Sequence, residues 1–145
     1  MANLLGVFCM RLFGVLAVLL TLAVPAQAYD QLAYYITTIG PEDLRNSRGV
    51  RLSDPAAVVQ QDRANYHRFG IRHAGDEGDP VFGSRGMRAM IPGATRVFGA
   101  YPAEMSDLIR SGRPFRIGVF VCGTPGRVQN VFVLTPSIGD FSGCF

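Results

Sequence analysis

FRIGVFVCGTPGRVQNVFVLT, residues 115–135, decides the fold: two runs rich in β-branched and aromatic residues, Phe115 to Cys122 and Val128 to Thr135, flank the segment Gly123 to Arg127. Pro125-Gly126 within that segment carries the signature of a type II turn, so the stretch predicts an antiparallel hairpin. Side chains alternate along a strand. Phe115, Ile117, Val119 and Val121 therefore share one face, and Arg116, Gly118, Phe120 and Cys122 share the other. Both faces are apolar enough to need cover, one from a core and one from the tail that follows the hairpin.

What ties that tail down depends on the other end of the chain. Leu12 to Val24 is a run dominated by Leu, Val and Ala, and Pro25-Ala26-Gln27-Ala28 follows it with the small-x-small ending that signal peptidases cut. The first ten residues lack the expected positive charge, but Met10-Arg11 supplies it. A leader running from Met10 to Ala28 is thus expected within residues 1–28, leaving one domain over residues 29–145. The alternative is a retained anchor. A helix over Leu12 to Val24 rises about 1.5 Å per residue and falls short of a roughly 30 Å hydrocarbon core, which favours cleavage and no membrane association afterwards.

Trimming the leader removes Cys9 and Arg11. Two cysteines remain, and an even pair in an exported chain reads as one disulfide, Cys122 to Cys144. It would hold Phe141 to Phe145 against the hairpin and restrict the unfolded chain by about 3 kcal/mol. Arginines then number 13 against 11 acidic residues, and lysine is absent. Such a near balance gives no reason to expect nucleic-acid binding.

Upstream, Leu32 to Ile39 suits a strand ending at Gly40-Pro41, Arg45 to Gly49 a polar turn, and Val50 to Leu52 a short extended piece. Ser53-Asp54-Pro55 opens a helix, with Asp54 as cap and Pro55 in the first turn, and Gly70 stops it. On a wheel of 100° per residue Val58, Val59, Tyr66 and Phe69 form one arc with Asp62 inside it. A carboxylate there needs a partner or a raised pKa. The expected partner is an arginine or the backbone of the Arg45–Arg51 segment, locking the helix to that loop. His67 falls beside Arg63 on the polar face, roughly 140° from Asp62 on that wheel, so the two should not pair. Ser84 to Pro92 reads as a short helix or irregular segment, and Arg96 to Phe98 is ambiguous. Pro102 to Arg110 reads as a helix with Met105, Leu108 and Ile109 on one side and Gly112 as its stop.

Together these elements predict an α+β domain: an antiparallel sheet of three to five strands ending in the hairpin, with two or three helices packed on it. The alternative is a small β-barrel with an inserted helix. GxSxG, HExxH, P-loop and helix-opening GxGxxG motifs are all missing from the sequence, and no cofactor is expected. Three groups of residues could carry chemistry. Asp62, His67 and His73 are candidate acids and bases. Asp76, Glu77 and Asp79, in a glycine-containing loop, are candidate ligands for a hard cation, although the spacing is not that of an EF-hand. Arg45, Arg48 and Arg51 are candidate anion contacts. The function expected is that of an exported, periplasmic or secreted, non-enzymatic binding or structural module whose partner is another envelope protein. The alternative is a small extracytoplasmic hydrolase using Asp62 or the Asp76–Asp79 loop with His67 or His73.

Overall fold

Strands β3 (Phe115–Thr124) and β4 (Arg127–Leu134) form the expected hairpin. Gly126 takes the positive φ of 79° that the third position of a type II turn demands. Such a turn twists against its strands, and the register shifts between Cys122 and Gly123, beside it. Gly123 is required there for a second reason: a Cβ would lie closer than 3.0 Å to the Arg127 carbonyl oxygen. The computed structural model describes residues 29–98, 102–136 and 143–144. The expected leader within residues 1–28, and most of the tail from Phe141 to Phe145, lie outside them.

Strand β1 (Asp30–Ile39) pairs antiparallel with β3, and β2 (Thr95–Val97) pairs with β4, giving the order β1-β3-β4-β2. The last pairing is parallel, so the sheet is mixed where an antiparallel one was expected. Chain direction explains it. The chain leaves β2 at the end of the sheet where β3 begins, and helix α3 (Pro102–Ser111) carries it across that end. β1 and β2 form the two edges and the sheet does not close, which sets the barrel alternative aside.

Three helices cover one face. α1 (Pro55–Ala64) starts where Asp54 accepts a hydrogen bond from the Ala56 amide, as its sequence predicts. It runs into a π-helical turn, Asn65–Phe69, which Gly70 ends at a φ of 68°. The wider turn rotates the residues after Ala64 away from the 100° wheel. Val58 and Val59 are fully buried as expected, whereas Phe69 is turned outward and is 49% exposed. α2 (Arg85–Ala94) contains Pro92, which has no N–H to offer the Arg88 carbonyl four residues back. Gln60 on α1 donates to that carbonyl instead, at 3.0 Å, and so stitches the two helices together.

Val58, Val59, Ile91, Met105 and Ile109 from the helices pack on Tyr35, Ile117, Val119, Val121, Val131 and Val133 of the sheet. On the opposite face Phe120, Cys122 and Leu134 are buried with Phe98, Phe132 and Cys144 against them. Cys144 is bonded to Cys122, so the alternation along β3 and the tether agree with the sequence. Among the described residues no helix is long and apolar enough to cross a membrane.

Candidate functional site

Arg63, placed on the polar face by the helical wheel, is the largest fully buried side chain among those described. A guanidinium cannot shed its proton, so burying it demands fixed acceptors. Asp62 accepts from Nε at 2.7 Å, Asp79 from Nη1 at 3.1 Å, Thr37 Oγ1 from Nη2 at 2.9 Å, and the Glu77 carbonyl from Nη1 at 3.1 Å. Its flat faces are used too. The guanidinium lies 4.2 Å from the Tyr35 ring centroid and 4.8 Å from that of Tyr66, and Arg72 lies 4.3 Å from the Tyr66 centroid. Tyrosine and arginine thus alternate from the core to the surface as Tyr35, Arg63, Tyr66, Arg72.

The loop from His73 to Phe82 is what closes over Arg63. Its carboxylates turn inward to protein donors. Asp76 Oδ1 accepts from the Thr38 amide at 2.8 Å and Oδ2 from the His73 amide at 2.6 Å. Glu77 accepts from the Ile36 amide at 2.8 Å, while its own amide donates to the Ile36 carbonyl at 2.9 Å. Asp79 Oδ1 accepts from the Val81 and Phe82 amides at 2.9 and 2.6 Å, and Oδ2 accepts from Arg63 and from His67 Nε2, the latter at 2.7 Å. The candidate cation ligands are therefore spread along β1 and α1, and among the described residues no three His, Cys, Asp or Glu side chains are placed to hold a metal ion.

Asp62 does not meet the Arg45–Arg51 loop, as was expected of it. Its partners are the adjacent Arg63 and, at 2.9 Å, the Thr37 hydroxyl. Thr37 has one hydrogen and two carboxylates to serve, because Asp76 Oδ1 lies 3.1 Å away. Burial dominates the carboxyl of Asp62 and, against the pull of Arg63, lifts its pKa to about 6. Burial acts on Asp79 as well, but there the bonds from His67, the Phe82 amide and Arg63 outweigh it and hold the pKa below the ordinary value. Two neighbouring carboxyls are thus pushed in opposite directions.

The histidines separate. His67 pairs with Asp79 and is mostly buried, where a solvated position was expected; its distance from Asp62 on the wheel is respected, since no bond joins them. The Asp79 bond requires its proton on Nε2. His73 contacts Glu42 through Nε2 at 3.0 Å and faces Asp43 across 3.4 Å through a buried Nδ1 that has no hydrogen-bond partner. Burial opposes the charge of His73, but Glu42 and Asp43 prevail and raise its pKa. Asp43, itself raised by burial, accepts from the Gly40 amide and from Asn65, each at 2.8 Å.

The candidate anion contacts do not converge. Arg51 donates to the Ile109 and Arg110 carbonyls at 2.9 and 3.1 Å and caps the end of α3. Arg45 donates to the Gly49 carbonyl at 3.0 Å within its own turn, and Arg48 stands exposed between them. Comparison with family models, curated proteins and solved structures gives no match for this chain. Its chemistry is read from its own residues.

The hollows large enough to take a ligand include two that border helix ends. One, of about 610 Å³, lies against α3 and is lined by Glu104, Asp107, Leu108, Ser111, Arg113 and Pro114. The other, of about 390 Å³, lies between the Arg45–Gly49 turn and the Phe69–Ile71 end of the π-helical turn. Neither is lined by Asp62, His67, His73 or Asp79. Sequence reasoning missed Arg63, although a tyrosine three residues on and a carboxylate cluster with no cation of its own were both legible.

Proposed function

We propose that this chain is an exported, non-catalytic module that binds another protein of the cell envelope. One observation carries the reading: the carboxylates that could serve as acid or base are each consumed by donors of the fold. Asp79 accepts four hydrogen bonds, and Asp62 is held between Arg63 and Thr37. A general base must instead reach a substrate proton within about 3 Å. Export is supported by the leader pattern in residues 1–28 and by the pairing of Cys122 with Cys144.

The hydrolase alternative draws on the His67–Asp79 contact of 2.7 Å. Asp79 is also an Arg63 partner and a turn-forming residue, and this makes the pair a brace. The test joins two measurements on residues 29–145. Tagged protein should retain one specific partner from an extracytoplasmic fraction, and it should not cleave chromogenic phosphodiesters or glycosides. Cleavage that disappears in a still-folded His67→Ala variant would overturn the proposal.

A further inference from the structure

The hollow between the Arg45–Gly49 turn and the π-helical turn has an apolar lining beneath a cationic rim. Phe69 and Ile71 line it while being 49% and 39% exposed, and Val50, at 57%, follows directly on its rim residue Gly49. Apolar side chains left this open on adjoining elements are a feature of recognition surfaces. Arg45 lines the hollow, and Arg68 stacks its guanidinium 5.0 Å from the Phe69 ring centroid. Among the described residues neither arginine forms an ion pair with a carboxylate. Glu42, the one carboxylate in the lining, is held by His73.

We infer that this groove docks an acidic peptide segment of a partner protein, one that inserts a single large apolar side chain between Phe69 and Ile71 and sets its carboxylates against Arg45 and Arg68. The inference rests on the binding-module reading and names its surface. Charge complementarity selects an acidic occupant, and arginine, with its planar fork, is the cation suited to carboxylates. A concave floor selects an inserted side chain over a flat bilayer. The rim is already ordered. Asn46 Oδ1 accepts from the Arg48 and Val50 amides at 3.0 Å each, the Asn46 backbone N–H donates to the Val50 carbonyl at 2.9 Å, and Arg45 pairs with Arg51 in an isolated β-bridge. Such order lowers the entropy lost on binding.

The probe is a fluorescein-labelled peptide of alternating Glu and Asp around one central Phe, titrated with residues 29–145 at low salt and followed by anisotropy. Replacing the central Phe by Ala, substituting Phe69→Ser, or combining Arg45→Glu with Arg68→Glu should each weaken binding by at least about tenfold, with melting temperatures near that of the unaltered protein. Ile71→Ser serves if Phe69→Ser unfolds. Equal binding of a peptide with lysines in place of the acids, unchanged binding by the variants, or capture by phosphatidylglycerol vesicles with no peptide binding would each overturn the inference. A cellular partner that both Phe69→Ser and the double arginine variant still retain would remove the groove and leave the binding-module reading standing. Absence of any partner for the unaltered protein would remove that reading instead.

Discussion

Replacing Arg63 by methionine isolates the electrostatic contribution of the buried cation, because Met follows a similar unbranched path and leaves little cavity. The change strands Asp62, 2% exposed, beside Asp79. Removing one partner of a buried pair costs about 3–5 kcal/mol. At about 4 °C per kcal/mol for a domain near this size, the melting temperature at neutral pH should fall by roughly 12–20 °C. The loss should also depend on pH. Asp62 has a folded pKa above its unfolded value, so its contribution is full below the unfolded pKa and is lost as pH rises through about 6. Without Arg63 the carboxyl rises further and stays protonated across the range from about pH 5 to pH 7. Between those values the variant should therefore regain up to about 3 kcal/mol from this group on acidification, roughly twice what the unaltered protein regains. Urea unfolding followed by circular dichroism at the two pH values measures both quantities. A neutral-pH loss under about 1 kcal/mol, or a deficit that grows on acidification, would refute the account of Arg63 as the cation that makes Asp62 tolerable.

The unaltered domain should be most stable in mild acid. Asp62, Asp43 and His73 all have raised pKa values and lose their contribution as pH rises, with Asp62 alone accounting for about 3 kcal/mol, whereas the depressed Asp79 loses its own contribution only as pH falls below its unfolded value. A urea series should place the maximum between about pH 4 and 6, and a maximum above about pH 7 would contradict it. Gly40→Ala should evict His73 from Glu42, since a Cβ there would come closer than 3.0 Å to the imidazole. Proton NMR should then show the His73 pKa falling toward its ordinary value, at a cost near 1 kcal/mol in stability. Converting Cys122 and Cys144 together to alanine opens a link of sequence separation 22 and should cost about 3 kcal/mol, read from denaturation midpoints with and without reductant.

What the sequence disclosed was local. Asp54, Pro55 and Gly70 mark the ends of their helix, and Pro125-Gly126 with the alternation of β3 specifies the hairpin and both of its faces. The features it concealed depend on distant neighbours. Arg63 is buried by residues at positions 77 and 79, which no wheel drawn on α1 contains. Phe69 faces outward because the helix widens after Ala64, and Pro92 is accommodated because Gln60 lies beside it. β2 is three residues long, too short for alternation to register, and its partner lies more than thirty positions away. For the candidate site, residue types were legible and pairings were not. The acidic loop reads as a cation site until β1 is placed beside it to supply the donors.

That placement bears on how the domain behaves in a crowded compartment. β1 is an edge strand, and an open edge invites another chain to add itself. Along Ile36 to Thr38 the outward-facing amides are taken by the carboxylates of Glu77 and Asp76, and the Thr38 hydroxyl by the Ala74 carbonyl. Side chains fill the slots a neighbouring strand would use, while placing negative charge where an incoming backbone would have to dock. The same loop that buries Arg63 therefore closes this stretch of the edge to strand addition, and its release would open Ile36 to Thr38 to pairing.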